Sequence, residues 1–189
     1  MPNEDFLTEE EDYKGHNIKI YFDEDAESPR DWDNICVIHT AHNNYSIGDE
    51  DHSTRESIEE ARKEAEKSGG ICLDLYLYDH SGITISLTPF SCHWDSGRVG
   101  FVHIPRQKML EEFSKKRWTP QLKEKALEIA KAEVETLDYY VTNQAYGYVI
   151  EDKDGEEVDS CWGYIGDSGE VLDEAKSIVD NIVKEVVEV

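Results

Sequence analysis

The sequence predicts an α+β fold: a mainly antiparallel sheet with hairpins, packed on one face by a long central helix and a C-terminal helix. Three observations carry that expectation. Short apolar runs with period-two alternation recur between turn signals, which is the pattern of half-buried antiparallel strands. Two long segments, one from about residue 119 and one from about residue 167, repeat apolar residues at three- and four-residue steps. Helices are not interleaved one per strand, which argues against a parallel, doubly wound sheet.

Taken in order, residues 1–12 hold six acids and only Phe6 and Leu7 as large apolar groups, and read as a mobile acidic arm. Residues 13–189 read as a single α+β domain. Residues 17–22 alternate as a strand, and residues 34–39 make a second, more buried one. An acidic loop with Pro29 joins them. A polar loop over residues 39–53 leads into a helix over residues 54–67, with Ser53 and Glu56 at capping-box spacing and Ile58, Ala61 and Ala65 as a thin apolar stripe. Ser68-Gly69-Gly70 ends it. Residues 71–78 and 83–87 form a hairpin about a turn at 79–82, residues 98–104 a further strand, and the consecutive strands read as a meander. Pro105 opens a short helix over residues 106–113. Thr119 as N-cap and Pro120 at the first helical position begin the long helix, whose Leu122, Ala126, Ile129, Ala130, Val134, Leu137 and Val141 share one face. Residues 146–150 and 158–164 flank an Asp154-Gly155 turn as a second hairpin. The last helix starts near Asp167 or Ser168, with Leu172, Ala175, Val179, Ile182 and Val186 as its seam.

Charge narrows the function more than any motif does. The 189 residues carry a net −24, with 43 acidic against 19 basic side chains. Residues 1–60 hold −14, residues 131–189 hold −12, and the segment between holds +2. Duplex DNA carries about one charge per 1.7 Å, so this chain is repelled by nucleic acid and attracted to proteins that bind it. Ten Tyr, five Phe and four Trp are too many aromatics for a disordered acidic tail. The sequence opens without a basic, apolar secretory signal and has no run of bilayer length, so a cytoplasmic protein away from membranes is expected. Cys36, Cys72, Cys92 and Cys161 lie far apart with no C-x-x-C pair and read as reduced, mostly buried thiols.

The side chains that could carry chemistry form weak patterns. His39 and His42 have H-x-x-H spacing, and with His93, Cys92 and Asp95 they could build a metal-dependent hydrolytic site if their loops converge. No third ligand stands at a characteristic spacing, so no metal or cofactor is expected. Cys92 with His80 or His103 could form a thiolate–imidazole pair, although no local signature marks one. The Asp152-Lys153-Asp154-Gly155 stretch places its glycine too early for a calcium loop and lacks the acid at the twelfth position. There is no phosphate-binding glycine loop and no nucleophile elbow. Trp94 and Trp162 each sit in a turn-rich aromatic segment. Exposed, they would anchor an interface; buried, they would be core, and the alternation of Trp162 within a strand leans it toward core.

The stretch from Trp94 to Gly100 (WDSGRVG), the stretch from Tyr146 to Glu151 (YGYVIE) and the stretch from Asp159 to Gly163 (DSCWG) resemble small acidic proteins of tailed bacteriophages and mobile elements, over the region from Ile71 onward. That resemblance implies no characterised activity and no catalytic residue. It implies an accessory protein acting in a bacterial cytoplasm. In that setting the expected function is a non-enzymatic, anti-defence inhibitor that mimics nucleic acid on a host nuclease or other nucleic-acid-binding protein. The expected contacts are Asp23, Glu24, Asp25 and Glu27 in one loop, Asp49, Glu50 and Asp51 in another, Glu151, Asp152, Asp154, Glu156 and Glu157 in the second hairpin, and Trp94. Beside it stand the small metal-dependent enzyme, an interaction or scaffold protein whose acidity serves solubility alone, and pairing into a homodimer.

Overall fold

The computed structural model describes residues 3–92 and 94–187. In chain order its strands are β1 (Leu7–Tyr13), β2 (His16–Phe22), β3 (Val37–Thr40), β4 (Glu50–Asp51), β5 (Ile71–Asp79), β6 (Ile83–Ser86), β7 (Ser96–Ile104), β8 (Ala145–Glu151) and β9 (Glu157–Ile165). Its helices are α1 (Arg55–Lys67), α2 (Arg106–Glu112), α3 (Pro120–Val141) and α4 (Ser168–Val187). The α+β class holds. The chain divides into two compact units, an inner one over Ser28–Thr142 and a terminal one that joins Met1–Glu27 to Asn143–Val189, where one domain was expected over residues 13–189.

The terminal unit is a four-stranded antiparallel sheet in the order β1-β2-β8-β9. Residues 7–12, expected within a mobile arm, are strand here. Lys14 and Gly15 both take positive φ, +50° and +82°, which closes β1 onto β2 through the tight turn that matches strand twist. The acids of β1 are tolerated because it is an edge strand, with one side paired and the other in water. Across the β2–β8 ladder Ile18 faces Ile150 and Ile20 faces Tyr148. Helix α4 lays Val171, Leu172, Ala175 and Val179 on those four residues and Tyr146, which form one buried cluster.

The inner unit is a five-stranded sheet in the order β4-β3-β7-β5-β6, parallel only between β3 and β4. The expected meander is therefore corrected: β7 does not continue from β6 but lies between β3 and β5. It earns the central place by composition, since Val99, Phe101, Val102 and Ile104 are all buried. On one face Leu75, Leu77, Ile85, Val102 and Ile104 meet Leu122, Ala126, Ala130, Val134 and Leu137 of α3, with Met109 of α2. On the other, Ile58 and Ala65 of α1 cover Phe101. The two long helices thus cover two different sheets rather than one face of a single sheet. Thr119 caps α3 as expected, its hydroxyl accepting from the Leu122 N–H. The box on α1 is shifted by one residue to Thr54 and Ser57.

Candidate functional site

The terminal unit gathers 23 acidic against 5 basic side chains, a net −18, into 74 residues. Two acidic elements of the sequence expectation, the loop after β2 and the tip of the β8–β9 hairpin, both belong to it. In the loop, the Asp23 N–H continues the sheet by donating to the Ala145 carbonyl. The Asp23 carboxylate accepts from the Asp25 N–H at 3.1 Å and from the Gly163 N–H of β9 at 2.9 Å. Asp23 therefore ties the loop to β9, while Glu24, Asp25 and Glu27 are exposed.

At the hairpin tip Asp152 plays a similar part. Its Oδ1 accepts from the N–H groups of Asp154 at 2.8 Å and Glu156 at 3.0 Å, which hold its carboxyl below the usual carboxylate range. Glu151 is bound by Lys19 of β2 at 2.8 and 2.9 Å, a hydrogen-bonded pair that raises the lysine. Asp154, Glu156 and Glu157 remain exposed. Carboxylates that hold the backbone thus alternate with carboxylates that face water.

Trp162 corrects the core reading. It is 42% exposed, on the sheet face opposite α4, with its ring against the Gly147 backbone and Tyr21 beside it at 6.0 Å between centroids. A register shift in the β8–β9 ladder between Tyr146 and Tyr148 leaves Gly147 without a Cα partner on β9, and the indole lies where a side chain on Gly147 would be.

The remaining expected contacts lie in the inner unit, and two of them are employed internally. The Arg30 side chain, 7% exposed, donates to Asp49 at 2.7 and 3.0 Å, to Glu133 at 3.1 Å and to the Cys36 carbonyl at 2.8 Å. Glu133 also accepts from the N–H groups of Ile35 and Cys36, and Asp49 from that of Ile38 at 2.7 Å. Burial alone would lower Arg30, but the two carboxylates outweigh it and hold the guanidinium charged. The same burial, reinforced by Glu133, pushes the Cys36 thiol far up. Asp51 accepts from Thr40 and Ser46. Glu50 is exposed, and Trp94 stands 96% exposed.

The histidines do not assemble as the spacing suggested. His42 stacks on Tyr45 and accepts from the Asn44 N–H, and His93 lies outside the described residues. His39 instead pairs with His52, Nδ1 to Nε2 at 3.1 Å, because the parallel β3–β4 contact brings the segment after β4 alongside β3. It stacks on Phe101 at 4.4 Å, with His103 at 6.5 Å between centroids. Burial first, then His52 and His103, lowers His39; burial lowers His103. No spacing rule in the sequence signalled that pair. A recess of about 420 Å³ beside it is lined by His42, His52, Thr54, Arg98 and Phe101 among others. Arg98 is engaged there by Glu59 and Asp74. Among the described residues Cys92 meets a carboxylate: its Sγ lies 3.8 Å from Asp95, to which His80 Nδ1 approaches at 3.4 Å. Among the described residues, no group of three or more His, Cys, Asp or Glu side chains is placed to hold a metal ion. Nor is any described helix long and apolar enough to cross a membrane. All four cysteines are free, and Cys161 is exposed rather than buried.

The class these features define is an α+β protein of two sheet-and-helix units, one of them strongly acidic. No family model, curated protein or solved structure matches the chain.

Proposed function

We propose that the protein is an acidic inhibitor, of the phage-type anti-defence class, that occupies the nucleic-acid site of a bacterial nuclease or other nucleic-acid-binding protein. The observation that carries this reading is the pairing of β2 with β8, which folds both acidic ends of the chain into one unit of net −18. The loop after Phe22 and the hairpin tip after Glu151 stand at opposite ends of the β2–β8 ladder, so their carboxylates are spaced along the sheet, as phosphates are along a duplex, rather than clustered at one point. A groove that binds duplex is lined by Lys and Arg spaced for phosphates, and exposed carboxylates at Glu24, Asp25, Glu27, Asp154, Glu156 and Glu157 offer each of them an acceptor. Asp23 and Asp152 are positioning residues here, because their oxygens fix the loop and the tip that carry the others.

The test is capture of partners from a bacterial lysate, followed by salt titration of the complex and competition with duplex DNA. The expected partner is a nucleic-acid-binding protein whose complex weakens steeply from about 0.05 to about 0.5 M salt and is displaced by DNA. Replacing the six exposed acids by Asn and Gln lowers affinity by at least about tenfold, roughly 1.4 kcal/mol, with the fold intact. A complex indifferent to salt, or one in which the partner still binds DNA, rules the mimicry out.

A further inference from the structure

The terminal unit carries a recess of about 470 Å³ with an aromatic wall and an acidic rim, formed by Phe6, Tyr21 and Trp162 with Asp23, Glu24 and Asp25. None of the residues lining it is basic. We infer that this recess receives an arginine side chain of a protein partner, stacked on the open face of the Trp162 indole and paired to the carboxylates of the loop. The inference rests on the reading above and names what the acidic unit grips.

Three features argue for a guanidinium. The indole is held in place: one side lies so close to Gly147 that a methyl group there would overlap the ring, and Tyr21 flanks it at an interplanar angle of 34°. It therefore presents one fixed, flat π-face, and a planar cation can stack on a single face. The carboxylates are also held relative to that face, because Asp23 is hydrogen-bonded to the N–H of Gly163, the residue directly after Trp162. Glu24 and Asp25 follow on the same loop, exposed, and line the same recess, so their carboxylates are available to accept from guanidinium N–H groups. A lysine ammonium, strongly hydrated and without a flat face, gains less from this arrangement.

The experiment is an NMR titration of the full chain, read at the Trp162 indole N–H, with the acetylated amides of arginine, lysine and citrulline. The expected result is a saturable shift with the arginine compound, at least about threefold tighter than with the lysine compound and absent with neutral citrulline. Glu24→Gln with Asp25→Asn, both at exposed positions, weakens it by about threefold or more, and Trp162→Leu, read at the Gly163 backbone N–H that donates to Asp23, abolishes it. Equal binding of arginine and lysine, a shift with citrulline, or binding left unchanged by loss of both acids overturns the assignment. The two proposals fail separately. A salt-sensitive complex with no arginine binding removes the recess and leaves mimicry standing; arginine binding with no nucleic-acid-binding partner does the reverse.

Discussion

The two units use one residue type in opposite ways. The inner unit holds 20 acidic and 14 basic side chains in 115 residues, and its partly buried carboxylates are structural. Asp49 and Glu133 enclose Arg30, Asp74 lies between Arg62 and Arg98, and Asp138 fastens α3 to β6 by accepting from Thr84 and Ile85 at 2.7 Å each. In the terminal unit, lysines reach only a few acids, through pairs such as Lys14–Asp180, Lys19–Glu151 and Lys176–Glu11. The difference teaches that net charge measures surplus carboxylates, and that only surplus can be offered to a partner.

The sharpest way to break this contrast is to remove one cation from each unit. Arg30→Met strands two shielded carboxylates, Glu133 at 13% and Asp49 at 25% side-chain exposure, and is expected to cost about 3–5 kcal/mol in denaturant unfolding. Lys19→Met opens a wetter pair and is expected to cost no more than about 1 kcal/mol. Similar losses from the two would erase the distinction. Next in size, Gly147→Ala forces its methyl into the Trp162 ring and is expected to cost about 1–3 kcal/mol while shifting the indole resonance. Gly97→Ala in the inner unit, with open space around it, leaves stability nearly unchanged.

The smallest effect is a pH dependence confined to the inner unit. His39 and His103 lie below their ordinary value of 6.5, chiefly through burial, with Glu50 and Asp49 opposing at His39. As pH falls through 6.5 the unfolded chain takes up protons that the folded one refuses. Stability contributed by the neutral rings is therefore complete above that value and lost below it. The thermal midpoint should fall between about pH 7 and about pH 5, and less so in His39→Gln with His103→Gln. Identical profiles for variant and parent would exclude these rings as the cause.

Local chemistry was legible in the sequence and long-range pairing was not. Thr119-Pro120 announces α3 because the cap and the fixed φ act within one turn. The β8–β9 hairpin is likewise marked by its own Asp154-Gly155 turn. Nothing local says that β7 enters between β3 and β5, or that β2 waits for β8, since both depend on residues far away in sequence. Residues 9–12 read as an arm because four consecutive acids suit a free chain as well as an edge strand. At the candidate site the acids were visible as residue types, but their employment was hidden. Asp49 looks like Asp25 in sequence until Arg30 folds against it. Trp162 alternates as a core residue would, and only the register shift beside Gly147 places it on an exposed face.

The β2–β8 ladder also sets a schedule. Phe22 pairs with Tyr146, so β2 is made 124 residues before its partner. At about 5–20 residues per second that interval lasts about 6–25 s. Through it Ile18 and Ile20 belong to an unmatched strand edge, the kind of template on which chains aggregate. The run Glu9-Glu10-Glu11-Asp12 lies directly across the hairpin from them. Its like charges repel other copies carrying the same run, which opposes pairing of that edge between chains during synthesis.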